Sequence, residues 1–197
     1  MRVSALTAIS WLLAGFASRQ AATQSHLGIE VATAHYGGSA RDTIGTPHAH
    51  PGQATTFGIR FDQTVGHVRV GLRLSYGKPG FSLSGEGLTI TDRSAGQLIE
   101  SAGFLSFRVG GIGPSGAIRA ALGPALHLWK FGDEIRMRVG AISNVSYEWP
   151  IAGRFLGAVN LEGILSKSWF DAADLPPEYE RQVTWRYGVG LVLRYRL

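Results

Sequence analysis

The sequence predicts an all-β protein, a closed antiparallel transmembrane β-barrel of eight strands with up-and-down topology. Three observations carry that expectation. Apolar residues recur at every second position in one segment after another. The residues between them mix glycine with arginine instead of forming an ordinary solvated face. Aromatic rings fall at the ends of the alternating segments, as in the girdles of membrane barrels.

The elements follow in order. Leu27, Ile29 and Val31 open the first strand, and Phe57, Ile59 and Phe61 mark the second. Val68, Val70, Leu72, Leu74 and Tyr76 form the third; Ile99, Leu105, Phe107 and Val109 the fourth. Ile118, Ala120, Leu122, Leu126 and Leu128 define the fifth, and Ile135, Met137, Val139 and Ala141 the sixth. Phe155, Val159, Leu161 and Leu165 give the seventh, and the run from Trp185 to Leu197 the last. No segment keeps helical spacing. The connections alternate in length: Gly37 to Gln53, Gly77 to Leu98 and Lys167 to Glu180 are long, whereas Asp62 to Gly66, Gly110 to Gly116 and Glu148 to Ala152 are short. Phe131 to Glu134 breaks the rule, being tight where a long loop is due. Pro124 inside the fifth strand predicts a bulge at Gly123-Pro124 or a break, because a closed barrel has no free edge for a missing N–H.

Composition narrows the class. The chain has 197 residues, 27 glycines, 17% charged residues and no cysteine, which suits one domain and excludes a disulfide framework or a cysteine-linked lipid anchor. The net charge of +5 comes mostly from arginine. These arginines are scattered through the strands and not gathered on one surface, which argues against nucleic acid as a partner. Arg2, the apolar run Val3 to Phe16 and the small-x-small Gly15-Phe16-Ala17 predict a secretory signal peptide over residues 1–22, cleaved near Ala17 to Ala22. The barrel domain is then 23–197.

The two faces predict which side is wet. Glu30, Arg60, Arg69, Arg73, Glu100, Arg108, Arg119, His127, Arg136, Arg138, Asn160, Glu162 and Arg186 alternate with the apolar set and share their face with Gly58, Gly71, Gly123, Gly140, Gly188 and Gly190. In a narrow barrel such residues fill the lumen and the apolar set meets lipid; a soluble barrel would invert the assignment. The expected lumen network joins Glu30, Glu100 and Glu162 to Arg73, Arg136, Arg138 and Arg186, since buried charges must be paired. The expected aromatic girdle is Tyr36, Tyr76, Tyr147, Trp149, Trp185 and Tyr195. Trp185 and Tyr195, ten residues apart, are separated by about 25 Å along the normal of a tilted strand, the height of an apolar band.

Over residues 26 to 197 this pattern resembles the small eight-stranded outer-membrane barrels of the OmpA transmembrane domain, OmpX and OmpW type. The most specific part of the resemblance is the ending: Tyr187, Val189, Leu191, Leu193 and Tyr195 fit the closing strand of that class, with Leu197 in place of the usual terminal aromatic. The resemblance implies an outer-membrane location, outer-membrane lipid as partner, and recognition of this last strand by the barrel-assembly machinery. It leaves oligomeric state open. Some barrels of this size modify lipids, and resemblance to the deacylases requires a serine two residues after a strand histidine; His127 is followed there by Trp129. His48 and His50, with only Asp42 and His35 near in sequence, fall short of the ligands a zinc site takes. No catalytic residue, cofactor or metal is expected. The functional expectation is a non-enzymatic structural, adhesive or envelope-associated surface protein with a side-chain-filled lumen. A narrow porin-like transport or ligand-binding barrel, a lipid-modifying enzyme and a soluble periplasmic β-barrel remain as alternatives.

Overall fold

The structure, a computed structural model, describes residues 24–197 apart from 44–46, 86, 93, 95, 172, 174 and 176. The expected signal peptide lies outside the described residues. The described strands are β1 (Gln24–Gly37), β2 (Ala40–Asp42), β3 (His48–Pro51), β4 (Ala54–Val65), β5 (Val68–Gly77), β6 (Phe81–Gly85), β7 (Leu88–Asp92), β8 (Gln97–Gly110), β9 (Ala117–Phe131), β10 (Glu134–Ala152), β11 (Phe155–Ser166), β12 (Tyr179–Arg181) and β13 (Thr184–Arg196).

Eight of these close into an antiparallel barrel in the order β1-β13-β11-β10-β9-β8-β5-β4, with β4 returning to β1. Closure is made by β1, which pairs β13 from His26↔Arg196 to Gly37↔Trp185 and pairs β4 from Gln24↔Thr64 to Ala34↔Ala54. Neighbours in the barrel are neighbours in sequence, the expected up-and-down topology. The remaining five strands, all from the long connections, form a second sheet in the order β12-β2-β3-β6-β7.

Turn chemistry sets which ends are tight. The β4–β5, β9–β10 and β10–β11 hairpins each have two residues between paired strands: Gly66-His67, Gly132-Asp133 and Gly153-Arg154. Each places glycine first, at φ of +63°, +53° and +53°, the left-handed conformation that two-residue hairpins with a leading glycine demand. Gly132 thus accounts for the tight connection where a long loop was due. It lets β9 and β10 run to 15 and 19 residues, with β10 starting at Glu134, ahead of its pairing with β11, which begins at Gly140.

The facing follows the alternation. Ile29 is 59% exposed, Leu191 64% and Ile135 69%, whereas Glu100 is fully buried and Arg194 is 1% exposed. The apolar face is therefore the outside of the barrel and the charged face its interior. That outside is continuous from strand to strand, the surface a hydrocarbon environment accepts.

Pro124 corrects an expectation. β9 neither bulges nor breaks there: it keeps its ladder with β10 through Ala141↔Pro124, and its pairing with β8 lapses between Ala102↔Ala125 and Leu105↔Leu122, then resumes in the same register. The backbones approach so closely at the gap that a Cβ on Gly123 would sit 1.8 Å from the Gly103 carbonyl oxygen. Glycine on both strands, with Pro124 facing outward, absorbs the lost hydrogen bond without a register shift. The irregularities of the ladder lie elsewhere, between Arg108 and Gly110 and between Pro150 and Ala152.

Two outcomes test this architecture. Leu72→Arg or Leu191→Arg, on the outward face, should cost ~2–4 kcal/mol on folding into lipid vesicles if that face meets hydrocarbon, read from urea unfolding of the vesicle-embedded protein. Deleting Leu193 to Leu197 removes the β13 residues opposite His26 to Ile29 and exposes an unpaired strand edge. The truncated chain should fail to give the compact, heat-modifiable band of a closed barrel on gel electrophoresis.

Candidate functional site

The lumen is layered. In the half nearer the long connections, Arg73 from β5 donates to Glu30 Oε1 at 3.0 Å and also to Glu100 and Glu162. Arg186 from β13 donates to the same Glu100, at 2.8 Å, and to Glu162. Its Nη1 also reaches the Tyr36 hydroxyl oxygen at 3.5 Å. His127 Nε2 lies 3.0 Å from Glu100 Oε2, and Asn160 Nδ2 donates to Glu30 Oε2 at 3.5 Å. Six strands contribute: β1, β5, β8, β9, β11 and β13. Three carboxylates thus face two guanidiniums and one imidazole, and none is left bare, as burial in a low-dielectric interior requires.

Below this layer lies an apolar belt. Phe104 packs with Ala102, Ala121, Ala125, Ile142 and Ile164, and the guanidiniums of Arg60 and Arg73 sit 4.6 and 5.4 Å from its ring centre. The ring separates two charged layers while offering its negative face to both arginines.

The second charged layer occupies the half nearer the short turns. Arg60 Nε donates to both oxygens of Asp62, at 2.8 and 3.0 Å, and Arg194 Nε approaches Asp62 Oδ2 at 3.1 Å. Glu148 accepts from Arg69 at 2.7 Å, from Arg119 at 3.1 Å and from Arg194. Gly71 makes room for this arrangement, because a Cβ there would fall 2.1 Å from Asp62 Oδ1. Here two carboxylates face four arginines, the opposite imbalance to the first layer.

The long-connection end is closed by rings. Trp169 stacks on Phe131 at 4.1 Å and on Trp129 at 4.9 Å, with Phe170 and Phe81 completing the cluster. Arg138 fastens the segment that carries Trp169: it donates to the carbonyl oxygens of Ser168 at 2.7 Å and Trp169 at 3.0 Å, and to Asp171 at 2.9 Å. Ser168 Oγ in turn donates to the Ser39 carbonyl at 2.6 Å. Over this cap lies the sheet of β12, β2, β3, β6 and β7. In it His50 uses Nδ1 toward the Pro51 carbonyl oxygen at 2.7 Å and Nε2 toward Ser84 Oγ at 3.1 Å. At its edge Asp92 accepts from the Ser94 amide and hydroxyl, which holds its carboxyl below the usual range.

Of the expected network, Glu30, Glu100, Glu162, Arg73 and Arg186 converge. Arg136 and Arg138 do not. Arg136 pairs with Glu134 two residues along the same face, at 2.6 Å, and lies over the Phe131 ring; Arg138 is taken by the carbonyls of the loop it anchors. Both are nearer acceptors than any glutamate of the lumen. Of the expected girdle, Tyr76, Tyr147, Trp185 and Tyr195 are outward and exposed, and Trp149 is half-buried against Tyr147 at 5.6 Å. Tyr36 is a correction: it is buried inside the barrel, its ring edge-on to Trp129 at 6.0 Å. It shares parity with Glu30, so the alternation of β1 itself carries the signal. Tyr187, Val189, Leu191, Leu193, Tyr195 and Leu197 all lie exposed, with Phe155 against Tyr195 at 5.2 Å.

Sequence reasoning placed Arg60, Arg69 and Arg119 of the second layer on the inward face but missed their carboxylates. Asp62 and Glu148 read as the starts of turns, although each continues the inward parity of Arg60 and of Arg136 and Arg138. Arg194 lies within the last alternating run but was given no partner, and His26 precedes the apolar positions that mark the first strand. Trp129, Trp169 and Phe170 carry no periodic signal of a cap, since two of the three come from a loop.

No family model matches the chain, and no curated protein sequence matches it. Solved structures do. The chain is similar to Neisserial surface protein A, with 8% identity over 88% of this chain and 97% of that one and a TM-score of 0.55. It also aligns with the N-terminal β-barrel domain of Pseudomonas aeruginosa OprF, 15% identical over 88% of this chain and 99% of that one with a TM-score of 0.45. Against Ail, the attachment invasion locus protein of Yersinia pestis, identity is 9% over 87% and 98% of the two chains and the TM-score is 0.42. The fold is that of the small eight-stranded outer-membrane barrels. At such identities the likeness speaks of fold alone.

The layering makes a ranked prediction. Glu100→Ala leaves Arg73 and Arg186 short of a fully buried partner and should destabilise the folded barrel by roughly 3–5 kcal/mol, whereas Glu162→Ala, slightly more exposed, should cost less. Glu134→Ala, which breaks an exposed pair with Arg136, should cost at most about 1 kcal/mol. Equilibrium unfolding in urea checks the order; equal costs for Glu100 and Glu134 would contradict it.

Proposed function

We propose that this chain is an outer-membrane protein acting at the cell surface through its long connections, in a structural, adhesive or envelope-associated role, with a barrel that neither conducts nor catalyses. One observation carries the reading. The connections that ordinarily vary most are here built into an ordered five-stranded sheet, seated over a mouth closed by stacked rings, while the barrel below is filled with paired charge. A narrow barrel built for transport leaves a path free of side chains; this one invests its interior in stability and its order in the loops, where binding residues concentrate.

The apolar exterior and its aromatic ends support outer-membrane lipid as the surrounding partner. The alternation of Tyr187 to Leu197, on the strand that closes the ring against β1, supports recognition by the barrel-assembly machinery. The predicted signal over residues 1–22 fits the export route such a protein takes. A surface role is also in keeping with the name of Neisserial surface protein A, which shares the fold. His127 is engaged with Glu100 and packed edge-on to Trp129, which supports a structural histidine over a catalytic one.

Planar-bilayer recording tests the reading directly. The wild-type protein should show no steady conductance at neutral pH, and Trp169→Ala should not open one, because two charged layers and the Phe104 belt remain beneath the cap. Large, stable, ion-selective channels would overturn the reading in favour of transport. On intact cells, a protease site inserted at residues 86–87, between β6 and β7, should be cut from outside; protection there with cleavage at Gly153-Arg154 would invert the orientation.

A further inference from the structure

The charged layer near the short turns opens into a pocket of about 190 Å³ at that end of the barrel, lined by His26, Arg69, Arg119, Glu148 and Arg196. At ~30 Å³ per water, that is room for a tetrahedral oxyanion with part of its hydration. The wall is over-supplied with positive charge. Arg60, Arg69, Arg119 and Arg194 share the two carboxylates of Asp62 and Glu148, and Arg196 adds a fifth guanidinium at the rim. Glu148, the only carboxylate in the lining, is spent on three arginines. Arg69 is 5% exposed, yet its Nε has no hydrogen-bond partner among the described residues; the same holds for Arg119 Nη1, Arg196 Nε and His26 Nδ1. Burying three uncompensated guanidinium N–H groups around a cavity is costly unless an acceptor joins them.

We propose that this short-turn mouth is a binding site for a phosphate-type oxyanion, held by Arg69, Arg119 and Arg196 with His26 as a further contact. Guanidinium planes match the paired oxygens of a phosphate, and a dianion offsets more of the charge excess than chloride does. The pocket is open at the short-turn end, so the oxyanion can be either free phosphate or the phosphate of an anionic lipid headgroup. Only the lipid source rests on the membrane reading above. Binding of free phosphate stands on the lumen geometry alone, so a failure of one does not carry the other.

The test uses the full barrel refolded in a non-ionic detergent without phospholipid, with ³¹P NMR as the readout. In one arm inorganic phosphate is titrated at constant ionic strength against chloride; in the other phosphatidylglycerol is titrated into the micelles, with phosphatidylcholine as control. Saturable broadening of the inorganic signal identifies a soluble ligand, and saturable broadening of phosphatidylglycerol alone identifies the headgroup; both sustain the proposal. Arg119→Gln and Arg196→Gln should each weaken binding at least ~10-fold, the loss of one charge-assisted hydrogen bond. Arg108→Gln, exposed at the same end but outside the pocket, should leave it unchanged. Arg196 sits on the rim, so its variant folds even where Arg119→Gln does not. No saturable binding in either arm, or binding that Arg196→Gln leaves unchanged, overturns the site.

Discussion

The structure depends on one constraint: a ring of eight strands with no free edge encloses a space too narrow for bulk water. Closure leaves no free strand edge, so the backbone groups pair from strand to strand around the ring, and it leaves inward side chains to satisfy one another. Once the alternation puts arginines inside, carboxylates must be there too, at matching depth. The pairing of β1 with both β4 and β13 is therefore what turns a set of charged positions on separate strands into two ion-pair layers.

Those layers differ in a way that follows from where they sit. The layer beneath the loops is richer in carboxylate, fully enclosed, and sealed from the mouth by Trp129, Phe131 and Trp169. The layer near the turns is richer in arginine and faces an opening. Phe104 keeps them apart, so the excess of one layer is not neutralised by direct contact with the excess of the other. A sealed interior richer in carboxylate on one side and an open one richer in arginine on the other give the two ends of the barrel different chemistry.

The loop end shows how the interior and exterior are tied. Arg138 projects inward from a barrel strand yet spends its donors on the segment carrying Trp169, and Ser168 of that segment reaches Ser39 in the first connection. Order in the outer sheet is thus anchored to the barrel wall and to the aromatic cap together.

Alternation determined the barrel's strand count, because period two is a local property that each segment declares independently of the others; the connection lengths gave the up-and-down order, and the glycine and arginine of one face with the rings at the strand ends gave the facing. Parity also held the inward placement of Tyr36, Asp62 and Glu148, although a ring at a strand end suited the girdle and the two carboxylates suited the starts of turns. The tight β9–β10 connection was visible as a short spacing, with Gly132 as its cause. What the chain could not declare was depth and partnership. Whether Arg138 meets a glutamate or a loop carbonyl depends on where residues 168–171 fold back, and whether Pro124 breaks β9 depends on Gly103 lying opposite it on another strand. The second charged layer, the aromatic cap and the loop sheet are likewise relations between residues far apart in sequence. They are set by register and by loop return, quantities that exist only after the ring has closed.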